Sequence, residues 1–238
     1  MHRRITISIV AVLLALATPA EAKSSRGKKR PPSKAKSSQK GKASKSPASA
    51  GKPEAPVWFS TVVVDAGHGG YDPGGIPANI IPEKNVALDV ARRLRMHLES
   101  AGLRVVMTRR DDTFVSLGER VRIANAERNA IFVSIHFNAS WRASARGVET
   151  FYCSAASAPL ARLIQEKMLA VTRNPDYRPV KRASFAVLRG TRCAAVLAEC
   201  GFLTNREDAE FALRQSSREK LAAQIAAAVL KHRKSLTR

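Results

Sequence analysis

Two histidines and two glutamates in the 238-residue chain lie where strand-like runs break into turns or where a helix begins. His68 follows Thr61–Asp65 (TVVVD) within Gly67-His68-Gly69-Gly70, and His136 ends Ile131–His136 (IFVSIH) just before Phe137-Asn138. Glu199 closes Ala195–Glu199 (AVLAE), and Glu83 opens a helical pattern directly after Pro82. In open α/β sheets ligands bind beyond the carboxyl ends of the strands, so these residues converge on one rim. Two imidazoles and one ionised carboxylate make a three-ligand set for zinc, with a fourth position left for water. Such a metal polarises a carbonyl and activates water, and a further carboxylate must take the water's proton. Glu199 is the spare carboxylate; within Ala194-Ala195-Val196-Leu197-Ala198 it is costly to bury without a partner or a chemical role.

Each residue also has a plainer reading. A His after a Gly serves as a loop residue, His136 as a satisfied core imidazole, and Glu83 as a carboxylate that complements a helix dipole. The ligands are far apart in sequence, unlike a helical His-Glu-x-x-His pair, so spacing alone does not decide. Other chemistries find less support. Gly67–Gly75 lacks the Gly-Lys-Ser/Thr ending of a phosphate loop, and no Gly-x-Ser-x-Gly elbow is present. Cys153, Cys193 and Cys200 are too few and too scattered for a disulfide scaffold or a Cys-based zinc finger. Cys193 and Cys200 lie in or beside a buried strand pattern, which suits structural thiols or a disulfide better than nucleophiles.

The elements that must position these groups alternate. Strand patterns cover Thr61–Asp65, Leu103–Met107, Ile131–His136, Val148–Tyr152, Phe185–Leu188 and Ala195–Glu199. Helical spacing covers Glu83–Ala101, Ser116–Asn129, Pro159–Thr172 and Arg218–Lys234. This predicts one α/β domain over residues 57–238, with a mostly parallel, buried sheet. Pro82 just before the first helix and Gly102 just after it mark its ends.

Net charge is +22, from 41 Lys and Arg against 19 Asp and Glu, and about half of it precedes that domain. Residues 1–22 carry His2-Arg3-Arg4, an apolar run from Ile5 to Ala17 and Ala20-Glu21-Ala22, the pattern of a cleaved export signal. Residues 23–56 hold 11 Lys or Arg, a single acid (Glu54) and no large apolar residue. Such a segment cannot offset its chain entropy by burial and reads as a disordered cationic arm. The arm serves either as a tether to anionic wall polymers or a membrane surface, or as a solvated spacer. Lys-rich charge would also attract nucleic acid, but the arm has no aromatic residue to stack on bases and the signal directs the chain to export. Nucleic acid is therefore not expected as a partner; the expected location is the periplasm, with secretion as the alternative.

Taken in order, several motifs resemble the zinc-dependent N-acetylmuramoyl-L-alanine amidases. They are Val64-Asp65-Ala66-Gly67-His68-Gly69-Gly70 with Asp72-Pro73-Gly74, Glu83-Lys84-Asn85, Thr108-Arg109 and Ser134-Ile135-His136-Phe137-Asn138-Ala139. Gly147-Val148-Glu149 and Glu199-Cys200-Gly201-Phe202-Leu203-Thr204-Asn205 complete the set. The resemblance implies a three-layer fold with a six-stranded twisted sheet and helices on both faces. It implies zinc on His68, Glu83 and His136, catalysis by Glu199, and cleavage of the amide between N-acetylmuramic acid and L-alanine in peptidoglycan, for wall remodelling or daughter-cell separation. Asp65 is expected to orient His68 or to cap the turn, and Asn138 to contact substrate or to close the strand end. Ala66 stands where the family commonly has Pro. Only Ser154–Ser184 is available for the helical insertion that covers the metal in some relatives, so an uncovered site with no dedicated activator is expected. The competing readings are a zinc peptidase acting within stem peptides and a non-catalytic wall-binding module.

Overall fold

β-Branched runs build a sheet whose two faces are packed unequally. The structure, a computed structural model, describes residues 58–75, 81–172 and 179–236. Its strands are β1 (Thr61–Ala66), β2 (Arg104–Met107), β3 (Ala130–Asn138), β4 (Glu149–Tyr152), β5 (Lys181–Arg182) and β6 (Ala194–Phe202). They lie in the order β2-β1-β3-β6-β4-β5, parallel except where β4 meets β6. Side chains alternate along each strand. Val62, Val64, Val133, Ile135 and Val196 enter a large core with α1 (Glu83–Ser100), α3 (Ala158–Leu169) and α6 (Gln215–Leu236). Val63, Phe132, Ala195 and Leu197 enter a smaller core with α2 (Leu117–Ala126) and α4 (Ala186–Gly190). The result is the three-layer α/β arrangement expected.

α1 buries Val86, Val90, Leu94 and Leu98 along one stripe, and each fully buried Leu contributes about 1.5–3 kcal/mol. Pro82 precedes its first turn and Glu83 lies in it; Gly102, at φ +78°, turns the chain away from its end. That placement delivers Glu83 to the rim where β1 and β3 end.

One predicted strand is corrected. Phe185–Leu188 does not join the sheet: Ala186–Gly190 is the short helix α4, with the N–H groups of Leu188 and Arg189 donating to the Phe185 carbonyl. Val187 and Leu188, successive residues of one helical turn, both reach the smaller core. A run of four apolar residues fits a buried helical turn as well as a strand. The edge position goes instead to Lys181–Arg182, exposed and charged, as suits a sheet edge. A further helix, α5 (Arg206–Leu213), was not read from periodicity.

Between β4 and β5 the described residues form a 3-10 turn (Ala155–Ser157) and α3. No described helix is long and apolar enough to cross a membrane. The expected export signal and basic arm, residues 1–22 and 23–56, lie outside the described residues.

Candidate metal centre

β1, β3 and β6 run side by side, with Ala66 opposite Ile135 and His136 opposite Glu199. Alternation puts Asp65, Ser134, His136 and Glu199 on the face of the smaller core, where fewer apolar side chains compete for the strand ends. Glu83 approaches this rim from α1. Its Oε1 lies 3.1 Å from His68 Nε2 and 2.9 Å from His136 Nδ1, and accepts the Phe137 N–H at 3.0 Å. Its Oε2 accepts the Gly75 N–H at 2.8 Å. The imidazoles meet edge to face, 4.8 Å between centroids, and the donor atoms of His68, Glu83 and His136 all lie within 4.8 Å of one another.

Electrostatics keep this set anionic at its centre. Burial opposes charge on Glu83, but hydrogen bonds from His136 and His68 outweigh it and hold the carboxyl well below the usual range. Burial likewise opposes protonation of His68, yet Glu83 and Asp72 raise its pKa. Asp72 Oδ2 sits 2.8 Å from His68 Nδ1, so His68 presents Nε2 to Glu83. Two imidazole nitrogens and a carboxylate oxygen, one ring held from behind by a carboxylate, form a donor set that fits a divalent metal ion.

The backbone makes room for this convergence. His68 itself has φ +57°, a left-handed conformation uncommon for a residue with a side chain and typical of functional sites. A Cβ on Gly67 would lie 2.3 Å from His136 Cε1, and one on Gly74 2.6 Å from both Glu83 Oε2 and His68 Cδ2. Glycine at those positions is a condition of the geometry.

Two buried arginines fix the loop from beneath. Arg109, at the end of β2, donates to the carbonyls of Ala66, Gly67 and Lys84 at 2.9, 2.6 and 2.8 Å. Arg120, from α2, donates to the carbonyls of Ala66 and His68 at 2.6 and 2.7 Å and pairs with Asp65 at 2.6 Å. Asp65 also accepts from the hydroxyls of Thr108 and Ser134. This corrects the expectation that Asp65 orients His68: its partners are Arg120, Thr108 and Ser134, and Asp72 supplies the carboxylate on the imidazole. Strand alternation turns Asp65 into the small core, whereas the turn closed by the Gly69–Asp72 bridge brings Asp72 back onto the ring.

Glu199 stands beside this cluster. Its Oε2 is shut from solvent and accepts no hydrogen bond from the described residues. Burial, and then the like charges of Glu83 and Glu149, push its pKa well up. Glu149, opposite Glu199 across β4 and β6, takes Lys181 Nζ at 2.6 Å and Asn138 Nδ2 at 3.3 Å. Asn138 thus links the end of β3 to Glu149, and its Oδ1 accepts the Ala139 N–H. The three cysteines are free thiols. Sequence reasoning gave no role to Asp72, Arg109, Arg120 or Glu149. The signal for Glu149 was available, since it lies in a strand pattern as Glu199 does; no comparable signal marks Arg120.

A family profile described as N-acetylmuramoyl-L-alanine amidase matches residues 62–231. The amidase LytC of Bacillus subtilis (strain 168) is 40% identical over 173 residues, 71% of this chain; the chain spans only 34% of LytC. Among solved structures, the catalytic domain of the amidase CwlV from Bacillus (Paenibacillus) polymyxa var. colistinus superposes with a TM-score of 0.70 at 33% identity. That match covers 73% of this chain and 98% of the CwlV domain. CwlD amidase from Clostridioides difficile, solved in complex with the GerS lipoprotein, gives 0.71 at 31% identity, over 74% and 99% of the two chains.

Proposed function

The chain belongs to the N-acetylmuramoyl-L-alanine amidase family, and from that premise we propose that it hydrolyses the amide between N-acetylmuramic acid and L-alanine in peptidoglycan. The observation that carries the reading is the convergence of His68, Glu83 and His136 beside the buried, unpartnered Glu199 Oε2. The three would hold zinc, which when bound polarises the scissile carbonyl and activates water. Glu199 Oε2 takes the proton of the attacking water and returns a proton to the leaving alanyl nitrogen as the carbon–nitrogen bond breaks. That oxygen is shut from solvent and has no hydrogen-bond partner among the described residues, which leaves its lone pairs open to the proton. Asp72 keeps His68 in one tautomer, and Arg109 and Arg120 hold the loop carbonyls so that the ligands need no rearrangement.

Residues 1–22 act as an export signal and residues 23–56 as a cationic tether, which brings the domain to its substrate in the periplasm or outside the cell. No activator protein is required in this scheme. A digest of purified peptidoglycan by the mature chain alone, chelated and then resupplied with zinc, tests these statements by mass spectrometry. Zinc-restored release of intact stem peptides beginning at L-alanine is expected. Cleavage between stem amino acids would replace this reading by the peptidase, and no release despite bound zinc would point to an activator or a binding module.

A further inference from the structure

The turn that holds Asp72 against His68 also projects Tyr71, which is 80% exposed although aromatic. Its ring stacks on Phe114, 4.2 Å between centroids and 25° from parallel. Hydrogen bonds tie the two segments that carry the pair together. Gly70 N–H donates to Asp112 at 2.9 Å, and Lys84 Nζ bridges the Gly70 carbonyl and Asp112 at 2.7 and 2.6 Å. A Cβ on Gly70 would lie 2.8 Å from the Phe114 nitrogen, so the two segments are in close contact. The stack therefore offers a solvent-facing aromatic surface in the same turn that carries His68 and Asp72.

The topology says which part of the substrate reaches it. His68 and Tyr71 follow β1 and Phe114 follows β2, on one side of His136; Glu199 on β6 lies on the other side. Glu199 must reach the leaving nitrogen, so the peptide side of the bond extends over β6 and β4. The acyl side then extends over β1 and β2. There the lactyl carboxyl is consumed in the amide, so the attached sugar is uncharged and presents a flat face of C–H groups to an aromatic ring. Resting on the amidase reading, we propose that the Tyr71–Phe114 stack is the subsite for the sugar ring that bears the scissile amide, and that it fixes the substrate's direction across the sheet.

The test compares two substrates sharing the lactyl–alanyl bond: a soluble N-acetylmuramyl peptide, and the same peptide acylated by lactate alone. Tyr71→Ala and Phe114→Ala in the zinc-loaded mature chain should lower kcat/KM on the sugar-bearing substrate about tenfold, mainly through KM. Both variants should leave the lactyl peptide unchanged, and Tyr71→Trp should retain wild-type preference. Equal losses on both substrates would show that the pair only supports the His68 loop and would overturn the proposal, as would no loss on either. Wild-type protein that cuts neither substrate at that bond would instead overturn the amidase reading, and the subsite with it.

Discussion

Asp65 shows how much of the centre depends on groups that never meet a substrate. It is fully buried and compensates Arg120, which in turn holds the carbonyls of Ala66 and His68. Removing one partner of a buried pair leaves an uncompensated charge, so Asp65→Asn should cost about 3–5 kcal/mol at neutral pH, measured by urea unfolding. Burial opposes ionisation of Asp65, but Arg120, Ser134 and Thr108 hold its pKa below the ordinary 3.8. A depressed acid stabilises above its unfolded pKa and loses that contribution as pH falls through the folded one. The gap between wild type and variant should therefore hold above pH 3.8 and close below it. Gly74→Ala places a methyl against Glu83 and His68 at φ +69°; metal affinity should fall about 10–100-fold in a chelator competition, with the far-ultraviolet spectrum unchanged. His68, Glu83, His136 and Glu199 could be picked out from sequence because each follows a recognisable strand or opens a recognisable helix. The partners of Asp65 are not legible in sequence because nearness in the chain is not nearness in space: of the two expected roles, orienting His68 falls to Asp72, and the left-handed turn at His68 carries the ring away from its neighbour in β1.

At the scale of elements, α5 secures the far side of the site. Asn205 caps it by accepting from the N–H groups of Glu207 and Asp208, and Asp208 Oδ2 accepts from Gly147 and Phe202, joining α5 to the approaches of β4 and the end of β6. Asn205→Ala should lower stability by about 1 kcal/mol, read as a shift in urea midpoint at constant slope. Long elements with a sustained period, such as α1 and β3, were legible because many residues repeat one message. Phe185–Leu188 was not: four apolar residues carry no period, and the strand that takes the sheet edge is two charged residues long. The cap of α5 was readable in Asn205 followed by Glu207 and Asp208, although the helix has only eight residues.

The whole molecule combines a rim whose donor set fits a divalent metal ion with a strongly cationic chain. Of the +22 net charge, +10 belongs to residues 23–56 and +11 to residues 57–238. If the arm tethers the domain, mature protein should co-sediment with intact sacculi more strongly than residues 57–238 at low ionic strength. The difference should vanish near 1 M salt, where the screening length falls to about 3 Å. Equal binding of both at low salt would reduce the arm to a spacer. The division of labour at the rim is read in zinc content and peptidoglycan turnover of purified Glu199→Gln and His68→Ala protein. Glu199→Gln should retain zinc and lose nearly all turnover, whereas His68→Ala should lose both. Full turnover in zinc-loaded Glu199→Gln would contradict the assignment of proton transfer to Glu199.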